Sequence, residues 1–296
     1  MGIDGIVLID KPKDITSRKA VDRVQRIIHE KRAGHFGSLD PFATGLLCIG
    51  VGQGTKLLPF MQSQQKEYIA CIGFEMFTDT DDITGAVKER FPNVLLDESK
   101  MRQWFDEHQG WINQTPPEYC AQKHLGQPLY KLKRAQQEVN PRPKQVYLEE
   151  TEILDSGPDW ARVRIVCSRG TYIRAIARDL GKYLGIGGYL RELKRLRSEG
   201  FNLDQALNFD GLVEKGAEAV IPLTSALQIP MARVTKAGEA GIQEGQAIQI
   251  SWVMDDVKAP DGVFVAMLNM NRDLLCIARV QREAGLWGYI ERGFRH

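Results

Sequence analysis

This sequence is short of the features that mark most specialised protein classes. Its five cysteines, at positions 48, 71, 120, 167 and 276, are odd in number, widely spaced and free of any C-x-x-C pair. That argues against a disulfide framework and against a cysteine zinc site. Five histidines, at 29, 35, 108, 124 and 296, show no H-E-x-x-H or comparable ligand spacing, so no metal is expected. No apolar run approaches the ~18 residues of a membrane span. The opening MGIDGIVLIDKPKD lacks the basic start, apolar stretch and cleavage site of a secretion signal, so a cytoplasmic location is expected. Tandem repeats and low-complexity tracts are absent as well.

What is present is ordinary in amount and uneven in placement. Apolar residues make up 43% of the 296 residues and charged ones 26%, a soluble globular balance that excludes disorder and fibre. The length suits one large domain, or one domain with a small companion. Net charge is +1, from 39 basic and 38 acidic residues, which by itself predicts no affinity for polyanions. Residues 161–197, however, carry ten Arg and Lys against Asp179 and Glu192, and residues 11–35 carry eight against three acids. Residues 75–107 lean the other way, with nine acidic and four basic. Basic stretches are commonly just solvated faces. If these two meet in the fold, they form a phosphate-sized patch.

Periodicity supplies the elements. Ile6-Val7-Leu8-Ile9 reads as a buried strand ended by Lys11-Pro12. Thr16 or Ser17 caps a helix with apolar residues at 20, 21, 24, 27 and 28, and Arg18, Lys19, Arg23 and Arg26 on its other face. The glycine-punctuated stretch from Gly34 to Pro41 reads as a shaped loop, followed by a strand from Leu46 to Val51. Residues 66–74 favour a strand with Tyr68, Ala70, Ile72 and Phe74 on one face. An acidic loop or hairpin over 75–97 and a short helix over 99–110 follow, then a rigid break at Pro116-Pro117. Residues 122–145, rich in Lys, Arg, Gln and Pro, are the candidate for a mobile basic arm. Ala161, Val163, Ile165 and Cys167 alternate with Arg162 and Arg164 in a half-buried strand. Thr171 then caps a helix with Ile173, Ile176, Ala177, Leu180 and Leu184 inward and Arg178 outward. From about 229 the texture changes to short strand-like runs at 247–250, 263–268, 274–280 and 286–290, as in a small β-barrel, with a domain boundary near 226–232.

No single residue announces chemistry. An Asp before Pro, such as Asp40, is ordinarily a turn residue, although Gly34 and Gly37 let backbone approach a ligand and Pro41 fixes the chain after the carboxylate. Tyr68 alone would be a core aromatic, Arg174 a surface charge at the start of a helix, and His35 an exposed loop residue able to stack on a base.

Taken in order and spacing, the segments resemble the TruB family of tRNA pseudouridine synthases. The opening GIVLIDKP is similar to the family's first motif, and Gly34–Leu47 (GHFGSLDPFATGLL) to its catalytic signature. Lys66-Glu67-Tyr68 matches its K-x-Y motif, and Gln114–Lys123 (QTPPEYCAQK) the element leading into an RNA-gripping arm. Cys167–Leu180 (CSRGTYIRAIARDL) resembles its arginine motif. Departures are small: Ser38, Phe42 in place of a common Leu, Cys120 where Ser is usual, and Gln122 where Leu is common.

The resemblance implies an α+β fold, a mixed and largely antiparallel sheet with flanking helices and a cleft across its middle. It implies a catalytic domain over 1–228 and a small PUA-like RNA-binding barrel over 229–296. The implied reaction isomerises uridine 55 in the T-arm of tRNA: the C1′–N1 bond breaks, the base turns over, and C5 bonds to C1′. It calls for no cofactor. By resemblance, Asp40 is the essential carboxylate and Arg174 its partner. Tyr68 stacks on the base and is the suspected acceptor of the C5 proton. Leu193 forms an apolar floor, Tyr172, Lys56 and Lys11 contribute to the substrate site, and His35 fills the space left by the flipped nucleotide. Arg18, Lys19, Arg23, Arg191, Lys194 and Arg195 are the expected phosphate contacts. A monomer without an obligate protein partner is expected. The competing readings are an RNA-binding or RNA-folding protein with vestigial catalysis, and a guide-RNA-dependent synthase. The second is disfavoured because the chain begins almost directly at the first motif.

Overall fold

The computed structural model describes residues 2–61, 65–120, 122–124, 127–135, 139, 141–283 and 285–294. Strand β1 (Gly5–Lys11) is followed by helix α1 (Ser17–Ile28), whose N-cap Thr16 accepts the Lys19 N–H at 3.1 Å. Two strands come next, β2 (Ala33–His35) and β3 (Thr44–Val51). Val7 and Ile9 face α1, while Ile6 and Leu8 pack into a second core on the other side of the sheet. Burial on both faces explains why this strand reads as an unbroken apolar run.

β4 (Gln65–Gly73) buries Lys66, Tyr68, Ala70 and Ile72 on one face. The acidic stretch holds a hairpin, β5 (Met76–Thr78) with β6 (Val87–Arg90), followed by α2 (Glu98–Glu107) and β7 (Gly110–Gln114). Of the segment expected as an arm, residues 125, 126, 136–138 and 140 lie outside those described. Its described part contains β8 (Lys123–His124), β9 (Gln127–Pro128) and α3 (Leu129–Arg134). β10 (Lys144–Gly157) and β11 (Trp160–Ser168) form a long antiparallel pair. α4 (Ile173–Leu184) has Tyr172, not Thr171, in the N-cap position; the Thr171 hydroxyl donates instead to the Ser168 carbonyl at 2.9 Å.

β12 (Tyr189–Ser198) closes the central sheet, lying parallel to β3 and antiparallel to β4. The short β13 (Phe201–Asn202), α5 (Phe209–Lys215), β14 (Ile221–Pro222) and α6 (Leu223–Ala226) complete this part. The ten-stranded sheet runs β14-β1-β3-β12-β4-β11-β10-β7, with β2 paired to β3 and β13 to β12. Apart from the β3–β12 contact its pairings are antiparallel. α2 and α4 cover one face over β4, β10, β11 and β12, burying Trp104, Phe105, Ile176 and Leu180.

The remaining residues form a five-stranded sheet: β15 (Met231–Arg233), then α7 (Lys236–Gln243), β16 (Ile248–Gln249), β17 (Phe264–Leu268), β18 (Leu274–Glu283) and β19 (Leu286–Gly293). Its order, β15-β17-β18-β19-β16, leaves β15 and β16 as edges rather than a paired seam. Ala266, Leu268, Ile277 and Phe294 share one core with Leu8, Phe36, Leu46 and Phe60, so the two sheets are packed together. Among the described residues no helix is long and apolar enough to cross a membrane.

Candidate active site

Asp40 is held from both sides by its own loop. Before it, the Ser17 hydroxyl donates to the Leu39 carbonyl at 3.0 Å and accepts the Leu39 N–H at 2.8 Å, tying the loop to the first turn of α1. After it, the Ala43 N–H closes a turn onto the Asp40 carbonyl at 3.1 Å, with Pro41 in the position that its fixed φ suits. The Pro41 carbonyl accepts from the Asp14 N–H at 2.8 Å and from Lys11 Nζ at 3.3 Å. Leu39 and Phe42 are buried, so the carboxylate projects from a loop anchored in the core.

Its partner arrives from 134 positions away. Arg174 Nη2 donates to Asp40 Oδ1 at 3.1 Å, and Nε stands 2.9 Å from Oδ2. The Nε–H is not aimed well enough to count as a hydrogen bond, so the Nη2 arm carries the alignment of this close ion pair. The guanidinium is itself fixed: Nη1 donates to the Thr80 carbonyl at 2.7 Å and Nη2 to the Tyr119 carbonyl at 3.0 Å. Asp82 Oδ2, 3.5 Å from Nη1, places a second carboxylate on the same cation. Protein crowds Asp40, yet 34% of its side chain stays accessible. Burial pushes this carboxyl above the usual range, with Arg174 and Lys11 pulling it down and Asp82 pushing it up.

Tyr68 lies on β4 opposite Arg195 and Ile165, buried in the same core as Leu39, Phe42 and Leu193. Burial pushes its phenol up to about 12, with Arg195 pulling the other way, so it is neutral at pH 7. Leu193 on β12 stands across from Ala70 on β4. Tyr172 is clamped through its backbone, its N–H donating to Gln114 Oε1 at 2.8 Å and its carbonyl accepting from Gln114 Nε2 at 3.1 Å. Its phenol is pushed up by burial and by Cys120, and Lys144 Nζ lies 4.7 Å over its ring. His35 is half-buried on β2, with Nδ1 lacking a hydrogen-bond partner among the described residues. Burial, Arg195, Lys66 and Arg18 push its imidazole down, leaving it neutral. A hollow of about 300 Å³ lined by Glu75, Arg90, Phe91 and Asp159 lies beyond β5 and touches none of these residues.

Comparison with known proteins decides the family. The family model described as "TruB family pseudouridylate synthase (N terminal domain)" matches residues 25–173. A protein named tRNA pseudouridine synthase B from Geobacter sulfurreducens is 33% identical, covering 99% of this chain and 98% of its own. One of the same name from Thermobifida fusca is 39% identical, over 89% of this chain and 94% of its own. This chain belongs to the TruB family. It is therefore a pseudouridine synthase, an isomerase. Among solved structures, an H/ACA ribonucleoprotein bound to a substrate RNA containing 2′-deoxyuridine has a chain that aligns with a TM-score of 0.74 at 20% identity. That alignment covers 99% of this chain and 85% of the other. A Cbf5–Nop10–Gar1 complex aligns at 0.72 and 22%, covering 98% of this chain and 85% of that one. At these identities the likeness is one of fold.

Several of the residues expected at the substrate or at phosphates make contacts within this TruB-family enzyme. Lys11 is fully buried, its ammonium donating to the Pro12, Ile15 and Pro41 carbonyls, so it braces the Asp40 loop. Arg195, expected at a phosphate, is 0% exposed and donates to the carbonyls of Leu46, Gly37 and Ser38. Lys56 reaches the second sheet, donating to the Gly293 carbonyl at 2.8 Å and lying over the Phe294 ring. Arg191 is taken up by Asp159 and the Tyr189 hydroxyl. Arg178, expected outward, is half-buried against Asp81 and Asp179. Arg18, Lys19, Arg23 and Lys194 are exposed. The sequence gives Asp82 no role, and marks Ser17 only as a possible helix cap and Gln114 only as the start of a motif. Their signals are faint, because a buried aspartate in an acidic stretch and a helix-start serine resemble solvated residues until their partners are known.

Proposed function

We propose that this pseudouridine synthase acts on tRNA, converting uridine 55 of the T-arm to pseudouridine with Asp40 as its essential carboxylate. The relatives named tRNA pseudouridine synthase B support the tRNA substrate. The Asp40–Arg174 ion pair, its carboxylate part-exposed and its loop packed in one core with Tyr68, carries the assignment of the site. An isolated carboxylate in a desolvated crevice takes up a proton; a fixed guanidinium opposes that uptake. The reaction needs the anion as the C1′–N1 bond breaks, a partner to keep it charged, and a route for the C5 proton as C5 bonds to C1′. Because Tyr68 is a neutral phenol, its oxygen takes that proton only as its own hydrogen passes to water. It therefore works as a relay, and not as a resident base. Leu193 serves as the apolar floor under the base and Tyr172 as a wall. A neutral His35 stacks where the flipped nucleotide was.

Arg18, Lys19, Arg23 and Lys194 are the proposed phosphate contacts, and the segment 122–145 the arm that closes on the stem-loop. Residues 1–228 are assigned to catalysis, and residues 229–296 to an RNA-binding module of the PUA type. The enzyme works in the cytoplasm as a monomer. The test is Asp40→Asn with RNA carrying C5-tritiated uridine. The variant binds the RNA with near-native affinity and releases no tritium. Native release from it would show that the carboxylate is dispensable and remove this reading in favour of an RNA-binding protein with incidental catalysis.

A further inference from the structure

A buried cluster of charge lies beneath the Asp40 loop, and the mechanism above makes no use of it. At its centre is Glu199, in the turn between β12 and β13 with φ +56°, a backbone conformation that favours glycine. Its side chain is 0% exposed, and neither carboxylate oxygen has a hydrogen-bond partner among the described residues. Two cations flank it, Lys66 Nζ at 3.7 Å and Arg169 Nε at 3.8 Å. Lys66 is on the same face of β4 as Tyr68, two residues away, and its ammonium backs directly onto Gly37: a Cβ there would come within 2.2 Å of Nζ. Arg195 reaches the same turn through the Gly37 and Ser38 carbonyls.

Left-handed backbone at a non-glycine residue and a buried carboxylate without hydrogen bonds both cost stability. Glycine would relieve both at position 199. Features of that kind, retained beside an active site, point to function. We propose that Glu199 is a positioning residue for pseudouridine formation: its carboxylate holds the Lys66 side chain against Gly37, which fixes the turn that presents His35 and Asp40. The proposal rests on the reading of Asp40 as the essential carboxylate. Charge balance around Lys66 supports it. Burial, Arg195 and Arg169 favour the neutral amine and bring its pKa to about 8, while Glu199 opposes them. The remaining titratable groups facing Lys66 are the Cys48 and Cys167 thiols, both pushed up to about 12 and so neutral, and His35, itself pushed down.

Glu199→Gly and Glu199→Gln test this, each assayed for tritium release from a C5-tritiated T-arm stem-loop between about pH 6 and 10 and for thermal melting. Glu199→Gly is expected to melt no lower than the native enzyme. In both variants the alkaline limb of the kcat profile moves about one pH unit lower, so kcat falls about twofold at pH 7 and about tenfold above pH 9, while KM stays within about twofold. Native kcat with an unmoved alkaline limb in both variants would overturn the proposal. So would a loss of kcat that follows a fall in melting temperature with the limb unmoved, since that marks a structural role. Asp40→Asn, run alongside, separates the two readings: full release from it removes the role of Asp40, while the pH shift in the Glu199 variants is judged on its own.

Discussion

Arg174 stands between the carboxylates of Asp40 and Asp82. A lysine cannot reproduce a planar fork that also donates to the Thr80 and Tyr119 carbonyls. Arg174→Lys is therefore expected to lower kcat/KM by ~10²-fold or more, measured by tritium release. The sign of the accompanying pH effect follows from the charges. Burial already places the Asp40 carboxyl above its ordinary 3.8, and Arg174 is the largest influence pulling it down. Removing that cation in Arg174→Gln raises it further. Because the proposed reaction uses the ionised form, the acid limb of kcat/KM moves to higher pH in that variant. An acid limb that moved lower would contradict the assignment.

Elements differ in how openly the sequence displays them. α1 and α4 show clean apolar stripes, and β4 shows its alternation, because each packs one face on a core. β12 does not. Its YLRELKRLRS reads as a solvated basic run, yet it is the strand joining β3 to β4. Arg195 is the reason: a guanidinium satisfied by three backbone carbonyls is buried like an apolar residue, and no periodicity scale anticipates that. At the β3–β12 junction Gly45 has φ +98°, and a Cβ there would lie 2.3 Å from the Arg195 carbonyl oxygen. Gly45→Ala is expected to destabilise the protein by roughly 2 kcal/mol or more, read from denaturant unfolding. Ser17→Ala strips the Leu39 N–H and carbonyl of their buried partner, and the expected loss is about 1–3 kcal/mol, with slower turnover as the Asp40 loop loosens.

At the scale of the whole molecule, the composition change near residue 229 coincides with the start of a second sheet. It does not coincide with a break in the core. Phe60 meets Phe264 edge to face at 5.1 Å, and Leu8, Leu46 and Phe36 share a cluster with Leu268, Ile277 and Phe294. A chain ending at 228 would expose that cluster. It is expected to melt at a clearly lower temperature than the full chain and to aggregate, and a native-like melt for the truncated chain would show the two sheets to be independent. By itself the sequence determined the family, the strongest helices and strands, and the residues that carry the motifs, because local periodicity and motif spacing are properties of the chain alone. Only the tertiary structure decided that Lys11 and Arg195 are internal braces, that Lys56 ties the second sheet, and that Asp82 shares the cation of Asp40. Whether a charged side chain meets water, a carbonyl or an opposite charge depends on what packs across from it, and here those partners come from distant parts of the chain.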